Sequence, residues 1–288
     1  FASYGILNNN ASFHPRWGTC PTAASTPTGA GTVSNPYQIS KIGELRWISQ
    51  DANRWGLVYK QTANIDADPS INFNSRAGFI PIGNTTTAFT GKYDGQGFWI
   101  DDLHINRSSS NEIGLFGVVS GGEILNVRMY DASIYGSTRV GAIAGDVTGN
   151  STISSITIVD SSVTGSITVG GVIGRSSSSG SHQVLGYSGS VSGVISTSTG
   201  HNIGGVICKK KNNTKLSISY FNGNFSGRED VGGLVGKSTS TSFVYNSYSL
   251  GFISGLNSGG IYGGSSSSVA SNCFTSATIS RTTGGYGA

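Results

Sequence analysis

The sequence predicts an all-β chain: a parallel β-helix (β-solenoid) of about 27–34 residues per turn, with an N-terminal cap that contains one short helix. Three observations carry that prediction. A glycine phrase recurs as IGLFG at Ile113, VGAIAG at Val140, VGGVIG at Val169, IGGVIC at Ile203, VGGLVG at Val231 and SGGIYG at Ser258, at spacings of 27, 29, 34, 28 and 27 residues. Glycine supplies 44 of 288 residues and serine is as common, while only 11% of residues are charged against about 25% in ordinary domains. Beyond residue 110 no segment keeps a helical period for ten residues or more, which excludes leucine-rich, ankyrin and tetratricopeptide arrays. Low charge with many β-branched residues excludes a solvated coil, and glycines without a three-residue period exclude collagen. A repeat too short to bury its own face must stack on its neighbours. The expected unit is a coil of about three short strands, paired in parallel at about 4.8 Å.

Residues 1–30 read as an arm or linker, whose Phe1, Tyr4, Phe13 and Trp17 favour packing on the body. Residues 31–110 read as a capping region with the first turns, and hold all the tryptophans beyond Trp17 and three of the six prolines. Asn35-Pro36 marks a turn and Tyr37–Ile39 a strand. Ser40 then opens a helical pattern with Ile42, Leu45 and Ile48 on one side, and its hydroxyl suits a helix cap. Short apolar runs follow at Leu57–Tyr59 and Ile65, then the strand-like FIPIG (79–83) and the apolar residues of 99–105. Residues 111–288 read as the repeat solenoid, ending in a partial copy at Thr283. Leu125, Val127 and Met129 alternate with polar neighbours, the period of a half-buried strand. The longest interval leaves room for a protruding loop at RSSSSGSHQ (175–183). Paired glycines answer either a positive φ or a close backbone approach, and either alternate set of VGGLVG could face inward. Cys208, in place of a closing glycine, reads as a small buried filler.

Charge is unevenly spread, with Glu229 and Asp230 the sole acids after Asp160. Lys209, Lys210, Lys211 and Lys215 surround Asn212-Asn213 and read as a solvated basic loop, with weak attraction to an anionic surface or polysaccharide as the alternative; without interleaved aromatics, nucleic acid is not an expected partner. Cys20, Cys208 and Cys273 form no CxxC, so a metal knuckle is not expected, and one disulfide would leave the pairing open. No apolar run is long enough to span a bilayer. A start at Phe1 reads as a processed form or a fragment. Asn10, Asn84, Asn106, Asn150, Asn212 and Asn224 head N-x-S/T triplets, glycoprotein signals if the chain is secreted. There is no HExxH, and His14, His104, His182 and His201 stand apart. Asp94, Asp101, Asp102 and His104, with Lys92 near and Asp66 and Asp68 further back, form the one dense acidic region. Turn and cap roles outweigh calcium binding or glycan cleavage there. No catalytic, cofactor-binding or metal-ligating residue is assigned. The serine and threonine runs (176–179, 265–268) and Tyr187, Tyr220, Tyr245, Tyr248 and Tyr262 are either ordinary strand residues over a thin core or a sticky stripe for glycan or protein.

GLFG (114–117) and GLVG (233–236) resemble the core of the GLUG repeat, and GTVSNPYQISKIGELRWIS (31–49), GFIPIG (78–83) and FTGKYDGQGFWIDDLHINR (89–107) resemble the stretch preceding it. Ala142, Ala144 and Cys208 depart from the pattern. The resemblance implies a right-handed β-helix of a surface-exposed or secreted, adhesin-like protein, with the repeat also found beside metallopeptidases that cut immunoglobulin A. It transfers no active-site role. The expectation is therefore a non-enzymatic extracellular or cell-surface solenoid, structural or adhesive. With no second cap evident after 270, end-to-end self-association into a surface filament, such as a pilus, is also expected. Host or matrix glycans and surface proteins are the other expected partners. A polysaccharide-binding or polysaccharide-degrading β-helix is the alternative.

Overall fold

The computed structural model describes residues 23–193, 202–211, 215–265 and 267–281. Cys20, the sequons at Asn10 and Asn212, His14, His201 and the partial copy at Thr283 lie outside the described residues.

The chain is a β-solenoid whose strands pair in parallel from coil to coil. One ladder runs through Tyr37–Ile39, Val58–Gln61, Lys92–Asp94 and Glu123–Leu125 to the openings of Thr152–Gly165 and Ser181–Gly193, then Lys215–Ser217, Ser242–Tyr245 and Ser268–Ser271. A second runs through Ile65–Asp66, Trp99–Asp101 and Arg128–Tyr130 to Tyr220–Ser226, Tyr248–Gly255 and Phe274–Arg281. Both belong to one bent 17-stranded sheet. A six-stranded sheet runs from Phe116–Ser120 through Ala144–Thr148, Ile173–Ser176, Ile207–Lys210 and Val235–Ser238 to Tyr262–Ser265. A four-stranded sheet joins Thr168–Gly170, Asn202–Gly204, Asp230–Gly232 and Asn257–Gly259. A full coil therefore holds four strands where three were expected, because the glycine phrase contributes one strand on each side of a bend.

The core is a set of in-register columns. Tyr59, Tyr93, Ile124, Ile153, His182, Leu216 and Val244 follow one another inside the first ladder, all fully buried. Ile65, Ile100, Met129, Ile158, Tyr187, Phe221 and Ser249 do the same inside the second, with the Tyr187 and Phe221 rings stacked at 5.8 Å. Each fully buried aliphatic side chain contributes about 1.5–3 kcal/mol, so the columns hold the coils together. Ile124, not Leu125, occupies the inward position. The alternation expected over 125–130 is broken at Asn126, whose φ of 53° turns the chain between two ladders.

That corner repeats. Asn126, Ser155, Val184, Ile218, Asn246 and Asn272 all have left-handed backbone, with φ of 49–56°. Next along, Asp102, Asp131 and Asp160 turn a second corner at 50–58°; the following coil is one residue shorter there, and Gly189, paired with Ser161, carries a positive φ, as does Gly251 two coils on. The glycine phrase answers the other need. Val231, Leu234 and Val235 are buried, and neither Gly232 nor Gly233 has a positive φ. A Cβ on Gly232 would run into the Val235 carbonyl, and one on Gly233 into the Gly260 carbonyl and the Ser249 side chain.

Three expectations are corrected. The helix spans Ile42–Ser49 with Lys41 at its cap position, so Ser40 sits one residue too early to cap it. Ser40 instead donates its N–H and hydroxyl to the Glu44 carboxylate, at 2.7 and 3.1 Å. FIPIG is not a strand; Ile82 makes a single bridge to Phe116 while Phe79 and Ile82 are buried. Residues 175–183 do not protrude, because Ser176, Ser178 and His182 are buried. Gly165 and Val169 are four positions apart, but their partners Gly193 and Ile203 are ten apart, so the insertion falls there. Cys208 is buried as expected, its thiol donating to the Asn202 carbonyl at 2.8 Å, and Cys208 and Cys273 are both free.

β-branched residues in left-handed backbone are strained, and Val184 (42% exposed) and Ile218 (56% exposed) gain no burial in exchange. Val184→Asn and Ile218→Asn are each expected to stabilise the fold by roughly 1 kcal/mol. A thermal melt reads this directly: a melting temperature at or below the parent's refutes strain at these corners.

Candidate functional site

The acidic region resolves into turns. Asp94 accepts hydrogen bonds from the Gln96 N–H at 3.0 Å and from Asn126 Nδ2 at 2.9 Å. Asp66 accepts from the Asp68 N–H at 3.0 Å and lies beside Asp101 in the second ladder. Lys92 pairs with Glu123 at 3.0 Å. The His104 N–H donates to the Ser70 hydroxyl, and burial lowers the imidazole pKa. Asp102 does join Asp131 and Asp160, one per coil, but as successive corner residues. Among the described residues no group of three or more His, Cys, Asp or Glu side chains is placed to hold a metal ion.

A polar break in the core was not legible beforehand. Inside the six-stranded sheet the inward column reads Val119, Val147, Ser176, Lys210, Ser238. Ser176, Lys210 and Ser238 are buried beside His182 of the first ladder. The Ser176 hydroxyl lies 2.8 Å from His182 Nε2, and Lys210 Nζ donates to the Phe243 carbonyl at 2.8 Å. Among the described residues His182 Nδ1 has no hydrogen-bond partner. Burial pulls the Lys210 amine down to about 7, and burial together with the Lys210 charge pulls His182 down to about 3. Neither group meets solvent, so neither can act on a substrate from outside. His182 was expected to stand alone and Lys210 to be solvated. Strand alternation is the signal that separates Lys210, inward, from Lys209 and Lys211 on the opposite face.

The expected tyrosine stripe is divided. Tyr187 is inside, its hydroxyl donating to the Ser161 and Ser190 carbonyls at 2.8 Å. Tyr262 is half-buried, 3.3 Å from the Ser242 hydroxyl. Tyr220 and Tyr248 are register partners outside the second ladder, their rings stacked at 5.6 Å and 12°. Phe274 follows Tyr248 in register and is 61% exposed. Across the corner, Phe243 and Tyr245 stack at 5.9 Å. The outer surface of the last coils thus carries a short column of aromatic faces, with Phe274 the member that a search for tyrosines misses. The serine run is not part of it, since Ser178 is buried and exchanges hydrogen bonds with Ser151.

The fold defines a parallel β-solenoid, and comparisons with known proteins agree with it. A crystal structure from Bacteroides ovatus, named as an immunoglobulin A1 protease, matches with a TM-score of 0.55 at 17% identity, covering 88% of this chain and 79% of that one. At that identity the likeness is one of fold. In sequence, the chain is 39% identical over 146 residues to halomucin of Haloquadratum walsbyi, covering 49% of this chain and 2% of halomucin. It is 29% identical over 123 residues to a protein of Evansella cellulosilytica named as a Gly-rich membrane protein, covering 43% of this chain and 14% of that one. The chain thus matches only a small part of either relative. No family model matches it, so the GLUG resemblance rests on the residues quoted alone. Among the described residues no helix is long and apolar enough to cross a membrane.

The buried bases make stability depend on pH. Burial lowers both pKa values, so the unfolded chain binds protons that the folded chain refuses. Stability falls as pH drops from about 10.5 to about 7 through Lys210, and again from about 6.5 to about 3 through His182. Lys210→Met is expected to flatten the upper limb and His182→Leu the lower, read as urea midpoints across pH. Parallel profiles for parent and variants would overturn the assignment.

Proposed function

We propose that this chain is a non-enzymatic β-solenoid that works outside the cell or at its surface, as structural and adhesive material, and holds neutral carbohydrate against its aromatic column. The observation that carries this reading is the in-register column of half-buried Tyr220 and exposed Tyr248 and Phe274 on successive coils. Aromatic rings at a coil spacing of about 4.8 Å offer an apolar track for the C–H groups of sugar rings. Serine, threonine and asparagine around them supply hydrogen-bonding partners for sugar hydroxyls. The name of the Evansella relative, a membrane protein, supports a surface setting. The sequon residues Asn84, Asn106, Asn150 and Asn224 are all exposed, which suits a secreted glycoprotein. The acids that a glycan-cleaving enzyme would need are engaged in turns and corners.

Tyr248 is exposed, so its replacement leaves the core intact. Tyr248→Ala is expected to weaken retention on uncharged polysaccharide, tested with immobilised xylan and hydroxyethylcellulose, by about tenfold, close to 1.4 kcal/mol. Equal retention of parent and variant, or release of reducing ends during incubation, would sink the adhesive reading.

A further inference from the structure

The outward face of the six-stranded sheet carries a second feature, away from the aromatic column. Its in-register column reads Val118, Asp146, Arg175, Lys209, Lys237, Gly264. Three cations therefore stand on consecutive coils, about 4.8 Å apart. Two residues further along the same face, Lys211 lies between Ser177 and Thr239 in the corresponding positions. The flanking cations are neutralised: Arg175 makes a two-point contact with Asp146, and Lys237 donates to Asp230 at 2.8 Å. Both acids are further committed, Asp146 lying 3.8 Å from Arg139 and Asp230 accepting from Asn257 at 3.1 Å. Every Asp and Glu of the chain is among the described residues, and none is paired with Lys209. Lys209 is half-buried between them, and burial and the charges of Lys211, Lys237 and Arg175 lower its pKa. A cation held in that field is a site waiting for counter-charge.

We infer that the Arg175–Lys209–Lys237 face, with Lys211 beside it, binds an anionic polysaccharide through its sulfate or carboxylate groups. The regular coil spacing suits a polymer whose charges recur along its length. Ser177 and Thr239 place hydroxyls beside Lys211 for sugar oxygens. The two outward rows carry no aromatic side chain on which a base would stack, which separates this face from a single-stranded nucleic-acid track. The inference is independent of the aromatic column, which lies on another sheet and takes an uncharged ligand.

The test is titration of the full chain with dextran sulfate, polygalacturonate, uncharged dextran and poly(dT) at low and high salt. Binding to one or both polyanionic sugars, weakening as salt rises, is the expected result, and the tighter of the two identifies the anionic group. Lys209→Gln combined with Lys211→Gln is expected to weaken that binding at least tenfold, while Lys92→Gln and Tyr248→Ala leave it unchanged. Relief of like charge means Lys209→Gln alone melts no lower than the parent, so lost binding is not lost folding. Bound dextran sulfate should raise the melting temperature of the parent and not of the double variant. Absence of binding to either polyanionic sugar at low salt, undiminished binding by the double variant, or poly(dT) bound as tightly as the sugars would each overturn the proposal. Loss of xylan retention in Tyr248→Ala with dextran sulfate binding intact would show the two faces acting separately.

Discussion

Parallel hydrogen bonding from one coil to the next is the constraint on which everything else in this molecule depends. Each strand is both template and copy, so a residue is judged against the one above and the one below it. In a ladder with a two-residue period, a shift of one position turns a whole strand inside out. Inward columns are consequently kept in register over every coil, from Tyr59 to Val244 in one case and from Ile65 to Ser249 in another. Apart from a one-residue bulge between Ile158 and Ser161 inside Thr152–Gly165, length varies chiefly between strands. The insertion between Gly193 and Ile203 does this, and the pairings Ile173 with Ile207 and Leu185's strand with Tyr220's resume beyond it.

The same constraint explains which features were legible in the sequence. The repeat spacing reports coil length, and VGGLVG reports the bend between the two smaller sheets, because both are properties of every coil. The corners were harder. Glycine is the expected residue for left-handed backbone, yet the first corner is built by Asn126, Ser155, Val184, Ile218, Asn246 and Asn272. There the ladder on each side dictates the turn, and the residue type follows only weakly; Val184 and Ile218 are there against their own preference. Because these corners reset the inside–outside phase, strict alternation misplaced Leu125. Glycine, by contrast, sits where backbones touch.

Serine follows a related logic. Ser219 and Ser247, each one residue past the first corner, are buried and accept the N–H of Leu185 and of Ser219, at 3.2 and 3.0 Å, across consecutive coils. A small hydroxyl there satisfies a backbone donor that a tight corner leaves without a strand partner. The abundance of serine is thus partly a structural necessity of turning so often. It also means that a polar side chain inside this rod is no sign of chemistry by itself.

What marks an outward position as functional is departure from that background. The interior answers to stacking and the corners to turning, so the exposed strand positions alone are free to vary without cost to the ladder. Serine and threonine fill some outward positions, as at Thr152, Ser154, Thr157 and Ser217, neutral groups that are easily solvated. Against that filling, two departures stand out: aromatic rings in register on the bent sheet, and cations in register on the six-stranded sheet. Like charges placed directly beside one another oppose folding, and exposed rings give up burial. Neither arrangement is explained by the needs of the coil. Both therefore point to something outside the rod, and their placement on separate sheets means that one ligand need not exclude the other.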